Sequence, residues 1–358
     1  KLAAKNIKSL KENIVKAFKI SWLQDCGPVH LNFPFEKPLE PDSITDNIDE
    51  SIISIALPIK FSLDKNVTNI DSSQKNISAL NLLLKKNCCG LITVGPGNFS
   101  DRFINLLENF SAKFALPIFA DASSGLAFRS NSITNLITNF DAILRTESFS
   151  DFFSPKLNFH FGRAATSPRL NEFLSKSKSK RFIVNRFGDM IDSSKSSTTI
   201  KTNEEVFLQS FVKSDYLFED KSLTMLNELK AIDVAVEKIK NSSFLNYEKL
   251  NEPAILLKIL EAIPPDSNLM IGNSIPIRDL DSFSSALNKN IIVYQNRGAS
   301  GIDGITSTAL GICANSKNPT YLITGDLSFY YDINSLLIAK QYKIPLIIIL
   351  TNNNGGSI

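Results

Sequence analysis

Apolar positions along the chain follow two alternating periods. Short runs rich in Val, Ile, Leu and Phe have the length of buried strands: Gly90–Val94 (GLITV), Pro117–Ala120, Asn158–Phe161, Arg181–Val184, Leu269–Ile271, Ile291–Tyr294, Tyr321–Thr324 and Leu346–Leu350. Among them lie stretches of helical period: Ile77–Lys85, Phe99–Phe114 with Phe103, Leu106, Leu107 and Phe110 on one face, Glu204–Lys240, and Pro253–Ala262. Ile333, Leu336, Leu337 and Ala339–Lys340 continue that period, and Pro345 turns the chain back towards the next strand. This alternation predicts an α/β fold with doubly wound parallel sheets. The first 20 residues read as an amphipathic helix, with Leu10, Ile14, Ala17 and Phe18 on one face. Gly27–Pro34 reads as a short strand and Phe35–Pro41 as a proline-punctuated linker.

Three spans follow from this reading. Residues 1–41 are the tail of a domain whose body is missing, and 42–250 a central α/β domain with a polar tether at its start and a helical linker at its end. Residues 251–358 form a last α/β domain. The first residue is Lys and the last lies beyond a glycine turn, so both ends read as cut.

Composition narrows the function classes. Apolar residues make up 43% and charged residues 21%, as in ordinary globular proteins, and a net charge of +3 argues against nucleic acid as a partner. Lys176–Arg181 (KSKSKR) is too short for a nucleic-acid patch and reads as a solvated turn. Cys26, Cys88, Cys89 and Cys313 lack metal or redox spacing, which points to reduced thiols and a cytoplasmic location. His30 and His160, the only histidines, sit inside apolar runs and read as structural. No signal peptide and no apolar run of membrane-spanning length is visible.

The chemistry concentrates in the last 38 residues. Gly325-Asp326 leaves one predicted strand, and Asn352-Asn353-Asn354-Gly355-Gly356 leaves the next. Carboxyl ends of neighbouring parallel strands are where open α/β sheets bind ligands. Asp326 offers a carboxylate, Asn353 an amide oxygen, and the glycine turn a backbone carbonyl. Such hard oxygens suit magnesium, whose shell phosphate oxygens and water would complete. Gly95-Pro96-Gly97 lacks the third glycine and the downstream acid of a dinucleotide site, and reads as a structural turn.

Gly-Asp followed at this distance by Asn-Asn resembles the signature of thiamine-diphosphate-dependent enzymes. Three further segments narrow the resemblance: Gly272-Asn273-Ser274-Ile275-Pro276-Ile277-Arg278-Asp279, Asn296-Arg297-Gly298-Ala299-Ser300-Gly301-Ile302-Asp303-Gly304, and Gly325-Asp326-Leu327. Together they resemble the 2-succinyl-5-enolpyruvyl-6-hydroxy-3-cyclohexene-1-carboxylate synthases of menaquinone and phylloquinone synthesis, most specifically over residues 269–358. The resemblance implies a thiamine-diphosphate-binding fold and makes residues 1–41 the tail of a pyrimidine-binding domain. It implies decarboxylation of 2-oxoglutarate, conjugate addition of the resulting enamine to isochorismate, and a homodimer or homotetramer.

Residue by residue, the resemblance makes Asp326, Asn353 and the Gly355 carbonyl the ligands of Mg2+ or Mn2+, with Asn352 the alternative if the register shifts by one. Gly325, Asp326, Leu327 and Asn353 line the diphosphate end of thiamine diphosphate. Ile302 props the bent cofactor, and the Ser300 carbonyl accepts from its pyrimidine amine. Arg278, Arg297 and Ser274 contact substrate, and Arg169 is a further substrate arginine. Both substrates are dicarboxylates, which guanidinium forks hold in bidentate fashion. The catalytic Glu of the family lies in its N-terminal domain and has no counterpart here. Two other readings compete: an acetolactate-synthase-like carboligase, and a non-catalytic scaffold on the same fold.

Overall fold

The computed structural model describes residues 4–21, 27–34, 50, 80, 82–84, 89–129, 132–186, 197–212, 220–245, 251–298 and 300–356. Most of the expected tether at 42–75, as well as Cys26, Cys88 and Ala299, lies outside these residues. The chain divides into two units, Lys1–Ile70 and Asp71–Ile358.

In the first unit Ala4–Lys19 is helical, as its periodicity predicts, with Lys16 and Lys19 in the last turn against the negative end of the helix dipole. Only Ala17 of the expected apolar face is buried; Leu10 and Ile14 are exposed. The expected strand at Gly27–Pro34 is not one: the segment has no regular structure, and His30 is exposed. A strand exists only by pairing, and no neighbouring described strand supplies a ladder here.

The second unit holds two parallel sheets. The first has the order β2-β1-β3-β4-β5, with β1 Gly90–Val94, β2 Ile118–Ala120, β3 Leu157–Phe161, β4 Lys180–Asn185 and β5 Thr198–Lys201. All residues of β1, β2 and β3 are buried, which is why they read as uninterrupted apolar runs. The Asp101–Phe114 helix packs on this sheet with Phe103, Leu106, Leu107 and Phe110 inward. Ser100 caps it by accepting from Phe103 N, and Ala115 ends it in the left-handed region at φ 50°.

Two features of this region differ from expectation. Strand β5 falls at a serine-rich stretch, where only Ile200 of its four residues is buried. Glu204–Lys240 is not one helix: Glu204–Gln209 ends in a turn, and a second helix runs over Asp220–Leu245. Its charged period is continuous, so pattern alone gave no reason for the interruption.

The second sheet has the order β7-β6-β8-β9, with β6 Asn268–Ile271, β7 Ile292–Gln295, β8 Thr320–Gly325 and β9 Ile347–Thr351. In both sheets the first strand sits between the second and the third. Each sheet therefore has a topological switch point, at β1/β3 and at β6/β8. Ala122 and Phe128, which follow β2, are buried in one core with Leu269, Ile271, Leu280 and Ile323. The α/β architecture with parallel sheets agrees with the sequence reading.

Candidate functional site

Four loops leave the carboxyl ends of the second sheet. The link from β8 to β9 opens with the Asp326–Tyr331 helix, continues through a 3-10 turn at Ile333–Ser335, and ends with the Leu336–Tyr342 helix. Asp326 is the first residue of this link, and its Oδ1 accepts from Leu327 N at 2.9 Å. Across the sheet, β8 and β9 run in register to the Gly325–Thr351 pair, and Thr351 Oγ1 donates to Thr324 O. The turn beyond β9 is thereby aimed at Asp326.

Gly355 has φ +52°, and a Cβ on it would lie 3.1 Å from Asp326 Oδ2 and 3.0 Å from Leu327 Cγ. Glycine is what lets this backbone approach the carboxylate. Asn353 Oδ1 accepts from Gly355 N at 3.2 Å, while Asn353 Nδ2 donates to Glu252 Oε1 at 3.0 Å. Asp326, Asn353 and Gly355, expected together from the sequence, are brought together. Their donors are one carboxylate, one amide oxygen and a backbone carbonyl, a set that fits a small hard divalent cation. No cluster of three or more His, Cys, Asp or Glu side chains suited to a metal occurs among the described residues.

The β6 loop adds strain and a fastening. Ser274 has φ 72° and ψ −123°, a conformation costly for any residue with a side chain. It precedes the Ile275–Phe283 helix, which carries Pro276 in its first turn and Arg278 beyond it. Gly272 N donates to Ile323 O at 2.7 Å, and a Cβ on Gly272 would come within 3.1 Å of Ile323 O and Thr324 Oγ1. β6 and β8 thus meet closely at their switch point.

Arg278 is exposed and Arg297, just after β7, is half-buried. Neither makes a hydrogen bond or ion pair with another described residue. Ser300 is exposed and Ile302 half-buried in the same loop, while Gly325 is half-buried and Leu327 exposed. Arg169 lies in the first turn of the Pro168–Lys176 helix and pairs with Glu172 at 3.2 Å on the surface.

Two residues here carry roles the sequence reading did not assign. Asn273 is buried, and its Nδ2 donates to Asn296 O at 3.1 Å and Gly301 O at 2.6 Å. It thereby ties the loop bearing Arg297, Ser300 and Ile302 to the β6 loop. Its position directly after a strand was the available signal. Glu252, which holds Asn353, is separated from it by 101 residues and gave none. Glu252 also acts on Asp279: burial, then the Glu252 charge, pushes the Asp279 carboxyl up to about 6.

The Gly95–Gly97 turn and His160 are structural, as expected. A Cβ on Gly95 would fall 1.8 Å from Arg163 O, so only glycine lets this turn pack against the loop after β3. His160 is buried, with Nδ1 2.9 Å from Thr93 Oγ1 and Nε2 2.9 Å from Arg163 O. Among the described residues, Cys313 is a free thiol, and no helix is long and apolar enough to cross a membrane.

Comparison with known proteins agrees with the geometry. Residues 288–357 match the family model of the thiamine pyrophosphate enzyme C-terminal TPP binding domain. That span contains Arg297, Ser300, Ile302, Asp326, Leu327, Asn353 and Gly355. The chain is 33% identical over 339 residues to the 2-succinyl-5-enolpyruvyl-6-hydroxy-3-cyclohexene-1-carboxylate synthase of Geobacillus kaustophilus, covering 93% of this chain and 56% of that protein. The synthase of Listeria welshimeri is 32% identical (96% and 58% covered), and that of Haloquadratum walsbyi 28% identical (99% and 62% covered). The chain thus spans a little over half the length of the curated relatives it matches. Over nearly its whole length the chain is similar to the 2-succinyl-5-enolpyruvyl-6-hydroxy-3-cyclohexene-1-carboxylate synthases, and residues 288–357 match the C-terminal TPP binding domain of thiamine pyrophosphate enzymes.

Proposed function

We propose that this chain is the cofactor-diphosphate and substrate-binding part of a thiamine-diphosphate-dependent transferase. Its substrates are 2-oxoglutarate and isochorismate, and its product is 2-succinyl-5-enolpyruvyl-6-hydroxy-3-cyclohexene-1-carboxylate, on the way to menaquinone or phylloquinone. The observation that carries this reading is the convergence of Asp326, Asn353 and Gly355 at the carboxyl ends of β8 and β9. Asp326, Asn353 and the Gly355 carbonyl would hold Mg2+ or Mn2+, and through it the diphosphate. Thiamine diphosphate, when bound, supplies the nucleophilic carbon and the electron sink for decarboxylating a 2-oxo acid and transferring the remainder.

The chain's own residues place and hold the reactants. Leu327 offers apolar surface beside Gly355, Ile302 would prop the bent cofactor, and the Ser300 carbonyl offers an acceptor for the pyrimidine amine. Arg278 and Arg297 carry no competing partner among the described residues and would clamp substrate carboxylates beside Ser274. Arg169, paired with Glu172 on the surface, would be a further substrate arginine. In this reading residues 1–41 close an N-terminal domain, 42–250 form the central domain and 251–358 the cofactor domain. The active form is a cytoplasmic homodimer or homotetramer. What supports an oligomer is the exposed apolar surface of the β8–β9 link, where Tyr330, Leu337 and Tyr342 are 71%, 71% and 68% exposed.

Residues 1–358 alone should be inactive; assaying the chain joined to the N-terminal domain that supplies the catalytic Glu, with thiamine diphosphate and Mg2+, tests the reading. It expects carbon dioxide release from 2-oxoglutarate and adduct formation with isochorismate. Preference for pyruvate in both half-reactions would make it an acetolactate-synthase-like enzyme. Cofactor binding with no turnover of either acid would make it a scaffold.

A further inference from the structure

Away from the metal-ligand loops, three carboxyl groups lie buried where elements of the two sheets meet. Asp121 follows β2, Asp141 sits in the short Phe140–Ile143 helix, and Asp281 sits in the Ile275–Phe283 helix. They are 0%, 3% and 5% exposed. Such burial is costly unless every oxygen finds a donor or a proton.

Two of the three are well supplied. Asp121 Oδ1 accepts from Ser123 N at 3.1 Å and from Ser123 Oγ, and its Oδ2 accepts from Thr166 N at 2.5 Å. Asp141 accepts from Ser167 Oγ at 2.6 Å, Ser282 Oγ at 3.0 Å and Arg145 Nη2 at 3.1 Å. Asp281 is different. Its Oδ1 accepts from Ala122 N at 2.9 Å, while its buried Oδ2 has no donor among the described residues and faces the Asp121 carboxyl. Two ionised groups in that arrangement would repel, with one oxygen left bare. One proton on Asp281 removes the repulsion and turns the bare oxygen into a donor to Asp121.

The charges on the surrounding elements do not offer another solution. Arg145 is committed to Asp141 and Ser282. Lys240 of the long helix is taken by Glu237, Asn139 Oδ1 and Ser284 O. From β7 the neighbour is neutral, Gln295, whose Nε2 donates to Ser123 Oγ. Asp141 adds a further negative charge. On the same helix Asp279 responds to Glu252 of the Glu252–Ala262 helix. Burial foremost, then the Asp121 charge, raises the Asp281 carboxyl well above the ordinary carboxylate range.

We propose that Asp121 and Asp281 form a carboxyl pair sharing one proton, a positioning device that latches the helix bearing Arg278 onto the carboxyl end of β2. The latch rests on the burial of both carboxyls, on the bond from Ala122 N to Asp281 Oδ1 and on the bare Asp281 Oδ2. Its consequence for substrate rests on the reading of Arg278 given above. Arg278 lies three residues before Asp281, so the pair fixes the helix within one turn of the guanidinium stem. The latch has a pH sign. A carboxyl raised in the folded state contributes stability that is fully present below its unfolded value and is lost as pH rises through the folded value.

The test uses the full chain and its Asp281→Asn and Asp281→Ala variants, unfolded by urea from mildly acidic to mildly alkaline pH. Asparagine can accept from Ala122 N and donate to Asp121 without titrating. The difference in stability between wild type and Asp281→Asn should therefore move steadily against wild type as pH rises. A difference independent of pH overturns the shared proton. Asp281→Ala removes both contacts, and in the enzyme joined to the N-terminal domain that bears the catalytic Glu its KM for 2-oxoglutarate should rise roughly tenfold with kcat largely kept, Asp281→Asn restoring it. An unchanged KM in a folded Asp281→Ala overturns the positioning role. Wild-type constants in Arg278→Ala would instead overturn the substrate reading, while the pH-dependent stability difference of Asp281→Asn stood, so the two failures are distinguishable.

Discussion

The two sheets follow one plan and treat their switch points in opposite ways. At β1/β3 the two loops fill the crevice with each other: Gly95 N donates to Phe161 O, Arg163 N donates to Pro96 O, and His160 is bonded at both ring nitrogens. At β6/β8 the strands also touch, but the loops above them end in groups aimed outward. Ser274 is held in a strained conformation, Asp326 is only half-buried, and Arg278 and Arg297 make no hydrogen bond or ion pair among the described residues. The same topology gives a structural layer where loops satisfy themselves, and a candidate site where polar groups are left to a ligand. Fold alone did not decide which; the loop residues did.

The sharpest way to break this comparison is Asp326→Ala. Removing the one carboxylate of the proposed metal site leaves diphosphate charge uncompensated, and metal-dependent thiamine diphosphate affinity should fall by several kcal/mol, roughly a thousandfold or more. Titration calorimetry with and without Mg2+ reads it, and undiminished affinity would remove the metal assignment. Next in size are Arg278→Ala and Arg297→Ala. Each should leave cofactor affinity intact while lowering kcat/KM by roughly 30- to 1000-fold, about 2–4 kcal/mol. Lysine at either position should recover part, since it keeps the charge and loses the fork. Steady-state kinetics with 2-oxoglutarate and isochorismate varied separately would show it, and wild-type constants for both would mean that the second switch point is as inert as the first.

The closed switch point makes the complementary prediction. Gly95→Ala puts a methyl group where Arg163 O already lies, so the loops must separate. Stability should fall by about 1–3 kcal/mol in urea unfolding, with kcat/KM per folded molecule unchanged. A catalytic loss larger than the stability loss would show that the first sheet holds ligand after all.

How much of this was legible in the sequence follows the same division. Strand β1 and the Asp101–Phe114 helix were readable because burial on their inner faces imposes period and composition. Strand β5 was not, since one buried residue in four leaves no period. The β8–β9 link was readable as helical, but its period did not tell what covers it: Ile333, Leu336 and Leu337 are exposed. At the site, Asp326 and Asn353 were legible because they sit at strand ends. Asn273, Glu252 and the Asp121–Asp281 pair were not as readily found, because their partners come from elements distant in sequence.

The smallest effect belongs to Asp279. It borders a cavity of about 10 Å³ lined also by Glu252, Ile275, Pro276, Ile323 and Thr351, behind the loops of the second switch point. Burial first, and the Glu252 charge second, raise its carboxyl to about 6. A carboxyl raised on folding binds its proton more tightly in the native state, so native stability declines as pH rises through about 6. Asp279→Asn removes that decline. Relative to wild type, the variant should gain stability from mildly acidic pH to above 6 and then level off. The carboxyl is only partly buried, so solvent screening holds the gain to about 1 kcal/mol or less. Glu252→Gln should move the wild-type decline slightly to lower pH, because it removes the second cause and leaves burial in place. Urea midpoints at a series of pH values measure both. A gain in Asp279→Asn that is constant with pH would mean that Asp279 is ionised throughout, and that the back of the open switch point is as well solvated as its front.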